Sequence, residues 1–293
     1  MAGSQVVVGV DGGEPSAEAL RWAATTAARR GATLRILLAY RWRVPAVLAP
    51  RGGLAEAARE LADALVADWG RDAEAVAPGV DVRPAAVLGH PADVLLGVAD
   101  EADLLVVGTR GRHRAAGAML GSVSQQVATR ASCPVAVVRG RAEPDGGVLV
   151  GVDDSASAGA ALRLAFAEAE RWGADLVAVR AIESPLTPPA LGLPPLLYDT
   201  AEAARALSES AAARVAEIGR EHPGVAWEFH GVAGDAGDVL CERSGRTRLV
   251  VIGSRGHRGL AGLLLGSVGL CLLQRAECPV LVAHAEPRAG EDS

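Results

Sequence analysis

Apolar residues in this chain fall in short runs that are separated by longer segments of mixed polarity. In the first half the runs occupy residues 6–10, 34–40, 80–88, 104–107 and 135–138. Short, valine-rich runs without polar alternation are typical of strands that are buried on both faces of a parallel sheet. The pattern therefore predicts five strands in this half of the chain.

The segments between these runs carry helix signals. In the second of them, Leu61, Leu65 and Trp69 recur at helical spacing. The first has a proline near its start and a glycine directly after its end, which is the usual arrangement at helix termini. The four predicted helices are residues 16–30, residues 54–72, a helix that opens at His90 and Pro91, and residues 123–131.

The second half of the chain repeats the first. Val8-Gly9-Val10-Asp11 returns 142 residues later as Val150-Gly151-Val152-Asp153. We therefore expect two domains, residues 1–142 and 143–285, followed by a flexible tail at 286–293. The predicted strands of the second half are residues 148–152, 176–181, 225–232, 249–252 and 280–283. Four helices are predicted between them: one that ends at Trp172, one at residues 200–219, one that begins at Asp238 and one that begins at Val268.

Strands that alternate with helices in this way predict an α/β fold. Each half is expected to form one Rossmann-like domain, with a parallel, doubly wound sheet and helices on both faces. The segment at residues 183–197 is longer and richer in proline than its counterpart in the first half. We expect it to cover a site or an interface.

Composition excludes several classes of function. Hydrophobic residues make up 50% of the chain and charged residues 22%, as in well-packed globular domains, and the net charge of −6 argues against a nucleic-acid-binding protein. All 29 basic residues are arginines. Without lysine, neither a Walker A loop nor a Schiff-base enzyme is available. Such a composition is typical of a GC-rich bacterial genome.

No targeting or membrane segment is predicted. The N-terminus lacks a basic region, and the longest stretch free of charged and strongly polar side chains, residues 260–273, is shorter than the ~18 residues of a spanning helix. A cytoplasmic protein is therefore expected. The four cysteines, Cys133, Cys241, Cys271 and Cys278, form no CxxC pair and are interpreted as small buried hydrophobes rather than as redox or metal-binding residues.

The candidate chemistry lies in two glycine loops, each placed directly after a predicted strand. The first runs from Gly108 to Ser122, and the second runs from Gly253 to Ser267. Glycines let the backbone approach a bulky anion, and a helix start after the loop directs N–H groups toward it. The loops therefore predict phosphate sites, with the nearby arginines Arg110, Arg112, Arg114, Arg255 and Arg258 neutralising charge.

An aspartate ends the first strand of each half, at Asp11 and Asp153. If the first and fourth strands are neighbours where the strand order reverses, each carboxylate shares a crevice with its glycine loop. A carboxylate there can accept hydrogen bonds from a nucleoside. The alternative interpretation is that the glycines form tight turns and the aspartate caps the next helix. Two complete copies of the arrangement favour the nucleotide site.

These motifs resemble the universal stress protein family, specifically its tandem, ATP-binding members. The spacing G-x2-G-x9-G-[S/T] at residues 108–122 and 253–267 matches that family's nucleotide motif, and the two strand-one segments resemble its V-G-V-D-G-S opening. Copy one departs from this opening at Gly13, and copy two departs at Asp154. The resemblance covers nearly the whole chain.

The resemblance implies a sheet of order 3-2-1-4-5 that binds ATP, with Mg²⁺ accompanying the nucleotide. It also implies that the two domains of the chain pair through strand five, and it allows a homodimer of two chains. It implies that Asp11 and Asp153 contact the adenosine, with space left beside it by Gly9 and Gly151. The residues it implies for ribose and phosphates are Gly108, Thr109, Arg110, Gly111, Arg112, Gly121, Ser122, Val123 and Ser124 in copy one, and Gly253, Ser254, Arg255, Gly256, Gly266, Ser267 and Val268 in copy two.

The function expected from the resemblance is regulatory. Bound ATP would set the conformation or the partners of a stress-response protein, with the regulatory partner unknown. Copy one is expected to be at least as competent as copy two. The alternative is an adenine-nucleotide enzyme such as a slow Mg²⁺-dependent ATPase, but no positioned base is recognised. His113 and His257, near the loops, occupy different loop positions and are interpreted as solvated residues.

Overall fold

A computed structural model describes residues 3–41, 54–109, 120–182, 200–254 and 265–284. The expected cover at 183–197 and the tail at 286–293 lie outside these residues. The chain divides into two compact units, Met1–Arg139 and Gly140–Ser293, and each is described by itself.

Unit 1 contains five strands and four α-helices among its described residues. Its order is β1 (Gln5–Val10), α1 (Glu14–Arg30), β2 (Thr33–Tyr40), α2 (Leu54–Val76), β3 (Val82–Leu88), α3 (Pro91–Leu96), β4 (Leu104–Gly108), α4 (Ser122–Arg130) and β5 (Val135–Val138). A short 3-10 turn at Ala99–Glu101 precedes β4.

The described residues of unit 2 repeat this order. Its elements are β6 (Val148–Gly151), α5 (Ala156–Trp172), β7 (Leu176–Ile182), α6 (Thr200–Gly219), β8 (Trp227–Ala233), α7 (Ala236–Ser244), β9 (Leu249–Gly253), α8 (Ser267–Arg275) and β10 (Val280–Ala283).

Both sheets are parallel, and the predicted strand order is confirmed in each. In unit 1, β1 lies between β2 and β4, with Gly9 opposite Leu37 on one side and Val107 on the other. The outer strands complete the order β3-β2-β1-β4-β5, and unit 2 has the equivalent order β8-β7-β6-β9-β10. The strand order reverses between β1 and β4, and between β6 and β9. These are the switch points at which ligands bind in sheets of this kind.

Helices cover both faces of each sheet, as predicted. A side chain added at Gly9 would meet Leu95 of α3, whereas one added at Gly108 would meet Pro15 of α1. Gly9 is paired with Val107, the neighbour of Gly108, so the two glycines face opposite sides. Equivalent contacts place α7 and α5 on opposite faces of the second sheet.

Besides shifts of one to four residues at other element ends, two sequence-based expectations differ from the structure. The third strand of each unit begins two residues later than predicted, because Val80 and Val225 donate to Ala77 and His222 in turns that close the preceding helices. In α2 the spacing of Leu61 and Leu65 does not mark the buried face. Leu61 is 63% exposed, and the face packed on the sheet carries Ala62, Val66 and Ala73.

Within the described ranges, every helix is too short or too polar to span a lipid bilayer.

Candidate functional site

Asp11 organises a tight turn directly after β1. Its Oδ1 accepts hydrogen bonds from the N–H of Gly13 at 3.0 Å and from the hydroxyl of Ser16 at 2.6 Å. The Ser16 oxygen in turn accepts from the N–H of Asp11 at 3.1 Å. The carboxylate is therefore fixed at the carboxyl end of β1, at the switch point of the sheet. We call residues 11–13 the aspartate turn of unit 1.

Unit 2 has an aspartate turn at residues 153–155, held by a different serine. Asp153 Oδ1 accepts from the N–H of Ser155 at 2.9 Å and also from the Ser155 hydroxyl. Ser155 is the N-cap of α5, and its oxygen accepts from the N–H of Ala158 at 3.1 Å. In unit 1 the N-cap is Gly13, which has no side chain, so Ser16 one turn later supplies the hydroxyl instead.

The two ends of each glycine loop are joined by a backbone hydrogen bond. The N–H of Gly121 donates to the carbonyl of Thr109 at 2.7 Å, and the N–H of Gly266 donates to the carbonyl of Ser254 at 3.0 Å. The loop start and the helix that follows it are therefore adjacent in both units. The interior of each loop, with Arg110, Gly111, Arg112, Arg255 and Gly256, lies outside the described residues.

Close approach explains the glycine that ends β4 and β9. A Cβ at Gly108 would lie 2.7 Å from the carbonyl oxygen of Pro15, and one at Gly253 would lie 2.6 Å from Oγ of Ser157. Real Cβ atoms do not come this close to such neighbours. The missing side chain thus lets the start of α1 or α5, and with it the aspartate turn, come against the start of the glycine loop.

The glycine loops lead into helices whose first turns are uncapped. Gly121 is the N-cap of α4 and Gly266 the N-cap of α8, and neither glycine has a side chain that could cap the first turn. The first N–H groups of any α-helix have no acceptor within the helix. Ser122 and Ser267 are exposed at these positions, and Val123 and Val268 are half-buried. These amides are well placed to bind an anion.

Ser124 joins the helix to the strand. It is 5% exposed, and its hydroxyl donates to the carbonyl of Gly108 at 2.6 Å. Gly269 replaces it in unit 2, where Leu265 and Ile252 lie 2.8 and 3.2 Å from the position of a Cβ. A phosphate contact from the Ser124 hydroxyl stays a prediction.

Replacing Ser124 with alanine is expected to destabilise unit 1 by about 1 kcal/mol, because the buried Gly108 carbonyl loses a donor. The measurement is the urea dependence of tryptophan fluorescence. Ser122→Ala, which removes an exposed hydroxyl two residues away, is the control and should leave stability unchanged. Equal stability of the two variants would contradict the structural role of Ser124.

Gly9 and Gly151 have a packing role in the structure. A Cβ at Gly9 would lie 2.8 Å from Cδ1 of Leu95, and one at Gly151 would lie 2.9 Å from Cδ1 of Leu240. The leucines of α3 and α7 therefore occupy the space on that face of the strands. That these glycines also leave space for adenosine stays a prediction.

The two aspartate turns differ in charge. In unit 2 the guanidinium of Arg180, on β7, forms a bidentate pair with Asp154 at 2.9 and 2.7 Å. These hydrogen bonds raise the pKa of Arg180 above its ordinary value, against the opposing effect of burial. Arg214 of α6 also donates to the carbonyls of Asp153 and Ser155, both at 3.3 Å. In unit 1, 142 positions earlier, Leu38 corresponds to Arg180 and Gly12 corresponds to Asp154.

Sequence reasoning missed Ser16, Arg180 and Arg214 as parts of the turns. A signal existed for Arg180, since it is the one charged residue of an otherwise apolar strand, and buried arginines are normally paired. Asp154 was identified only as a departure from the family's opening. Nothing in the sequence indicated Arg214, because its contact depends on how α6 packs beside α5.

Comparison with known proteins gives the same family for both halves of the chain. The sequence profile of the universal stress protein family matches residues 4–139 and 147–284. Universal stress protein Rv2005c of Mycobacterium tuberculosis (strain ATCC 25618 / H37Rv) is 34% identical over 289 residues, which are 95% of this chain and 96% of the relative. Universal stress protein Rv2623 of the same strain is 34% identical over 294 residues, with the same coverage of each chain.

The fold of the whole chain is also found among solved structures. The crystal structure of a universal stress protein from Archaeoglobus fulgidus DSM 4304 is 19% identical in sequence and superposes with a TM-score of 0.68, covering 96% of each chain. At this identity the likeness shows the fold alone. Together with the two profile matches, it leads to one conclusion: the chain belongs to the universal stress protein family and contains two tandem copies of its domain.

Proposed function

We propose that each unit binds one ATP molecule at its switch point, between the aspartate turn and the start of the helix after the glycine loop. The proposal rests on an arrangement of the aspartate turn, the glycine loop and the helix start that both units share. In both units the aspartate carboxylate is fixed at the end of the first strand, and the loop is closed onto an uncapped helix start beside it.

Each part supplies a different interaction with the nucleotide. The carboxylates of Asp11 and Asp153 would accept hydrogen bonds from the nucleoside, which has donors on its ribose and its base. The first N–H groups of α4 and α8 would donate to the phosphates and add the favourable field of the helix dipole. With no lysine in the chain, the arginines of the glycine loops would supply the remaining positive charge.

Mg²⁺ would enter with the triphosphate rather than bind a preformed protein site. Within the described ranges no three histidine, cysteine, aspartate or glutamate side chains are grouped to hold a metal ion. Magnesium is commonly held by substrate phosphates and water together with only one or two carboxylates.

We infer a regulatory role in the stress response for the bound nucleotide. The proposed ATP contacts join α1 to α4 in unit 1 and α5 to α8 in unit 2, so occupancy would stabilise one arrangement of these helices over others. A partner protein that distinguishes the two arrangements would then detect the nucleotide. A regulatory role of this kind requires ATP to stay bound without being hydrolysed quickly, so turnover must be slow.

Isothermal titration of the full chain with ATP and Mg²⁺ tests the binding proposal. We expect saturable binding with up to two molecules per chain, and weaker binding of AMP, which lacks the β- and γ-phosphates. Phosphate release should be far slower than the ~10 s⁻¹ that is typical of enzymes. If ATP does not bind, the proposed binding sites are wrong. If phosphate is released quickly, the protein is an enzyme rather than a regulatory ATP-binding protein.

A further inference from the structure

Two of the four cysteines meet in unit 2, although they are far apart in sequence. Cys241 lies on α7 and Cys271 on α8, and their sulfur atoms are 3.8 Å apart. No disulfide joins them. Cys241 is 7% exposed, whereas Cys271 is half-buried. The pair therefore joins a partly exposed cysteine to a buried one, with their sulfurs in contact.

The packing of α7 on α8 is built around this contact. Gly237 lies one turn before Cys241 on the same face of α7, and a Cβ there would be 3.0 Å from the sulfur of Cys271. The absence of that side chain lets Cys271 come against α7. On the exposed side, Arg275 pairs with Asp238 at 2.6 Å and donates to the sulfur of Cys271 at 3.5 Å. The guanidinium of Arg275 therefore lies against the sulfur of the more exposed cysteine.

The same place in unit 1 carries no thiol. At the offset of 145 that relates the two glycine loops, Cys241 corresponds to Leu96 and Cys271 to Gln126. The other two cysteines are in different surroundings. Cys278 is fully buried, and burial raises the pKa of the Cys133 thiol to about 11. Among the four, Cys271 alone combines partial exposure with a neighbouring thiol, that of Cys241.

We propose that Cys241 and Cys271 are a redox-active thiol pair that hydrogen peroxide converts to a disulfide. The sulfur of Cys271 attacks the peroxide, so that an S–O bond forms, the O–O bond breaks and one water leaves, giving a sulfenic acid. The sulfur of Cys241 then attacks that of Cys271, the S–O bond breaks and a second water leaves. Both thiols are oxidised, and one hydrogen peroxide is reduced to two waters.

The geometry allows this step with little movement. A disulfide needs a sulfur–sulfur distance of about 2.05 Å, so the two sulfurs must approach by roughly 1.8 Å. Rotation about the Cα–Cβ bonds of the two cysteines is the motion that would supply this approach. The bond would fasten α7, whose Leu240 packs on Gly151, to α8, whose first turn follows the second glycine loop. The proposal does not depend on nucleotide binding.

Peptide mapping of the full chain after treatment with hydrogen peroxide tests this proposal. The remaining thiols are alkylated and the protein is digested with trypsin without reduction. Because arginine is the only basic residue that trypsin can use here, each cysteine falls on its own peptide: residues 131–139, 221–243, 259–275 and 276–288. We expect peptides 221–243 and 259–275 to become linked, with the loss of two hydrogen atoms, and to separate again on reduction.

Single variants assign the roles of the two sulfurs. Cys241→Ser should leave Cys271 as a sulfenic acid that dimedone traps, whereas Cys271→Ser should leave Cys241 as an alkylatable thiol. Cys133→Ser is the matched control and should form the bond as the unmodified chain does. The proposal is overturned if peroxide carries Cys271 to the sulfinic acid while Cys241 stays alkylatable, or if the linkage joins different peptides. The mapping of the unmodified chain decides this even if a variant fails to fold.

Discussion

Replacing Ser122 with proline is expected to weaken ATP binding in unit 1 by about tenfold or more while leaving its fold intact. Ser122 is the first residue of α4, and the proposed phosphate contact there is made by its backbone N–H. Proline has no N–H. A hydrogen bond to a charged group contributes about 1.5–3 kcal/mol, which corresponds to roughly ten- to hundredfold in affinity.

The fold should tolerate this proline for two reasons. Proline is favoured at the first position of a helix, where the N–H has no helical acceptor. The residue before a proline must be extended, and Gly121 already has φ −66° and ψ 145°. Ser267→Pro is the equivalent change in unit 2, since Gly266 has φ −60° and ψ 159°. Each variant should therefore weaken its own site.

The control separates the amide from the hydroxyl at the same position. Ser122→Ala keeps the N–H and removes only the side-chain oxygen, so it should retain most of the affinity. Titration calorimetry gives the affinity, and circular dichroism verifies the helix content. A proline variant that is folded and binds ATP in unit 1 as the unmodified chain does would show that the helix start is not the phosphate site.

Strands and glycine loops could be predicted because their signals are local. A valine-rich run such as residues 104–107 is rarely anything other than a buried strand. The two copies of the glycine loop restricted the predicted site to the ends of the strands that precede them. The face of α2 was not predictable in the same way. Alanine and leucine occur on several sides of that helix, so the stripe of Leu61 and Leu65 and the truly buried stripe of Ala62 and Val66 look alike in sequence.

Contacts between distant side chains escaped prediction for a different reason. Cys241 and Cys271 are separated by 30 positions, and they meet only because α7 and α8 pack on the same face of the sheet. The pairing of Arg180 with Asp154 needs the register of β7 beside β6. Composition and spacing carry no information on such packing, although an arginine inside an apolar strand does indicate that a buried partner exists.

The second large effect concerns this ion pair, and we expect Asp154→Ala to destabilise unit 2 by about 2 kcal/mol. The Arg180 side chain is only 9% exposed, so removing its carboxylate leaves a guanidinium that is nearly out of contact with water. Breaking a fully buried pair costs about 3–5 kcal/mol, and the 38% exposure of Asp154 lowers the expected figure. Urea denaturation followed by tryptophan fluorescence measures the change.

The equivalent residues of unit 1 indicate a double variant that distinguishes the loss of a charge partner from damage to the turn. Unit 1 has Leu38 where unit 2 has Arg180, and it folds without the pair. Arg180→Leu combined with Asp154→Ala should therefore restore stability to within about 0.5 kcal/mol, whereas Arg180→Leu alone should cost less than Asp154→Ala because Asp154 can still reach water. A double variant as unstable as Asp154→Ala would mean that Asp154 supports the turn itself. Rescue would mean that the cost came from the guanidinium of Arg180 left without its carboxylate, so the two aspartate turns differ by a replaceable ion pair.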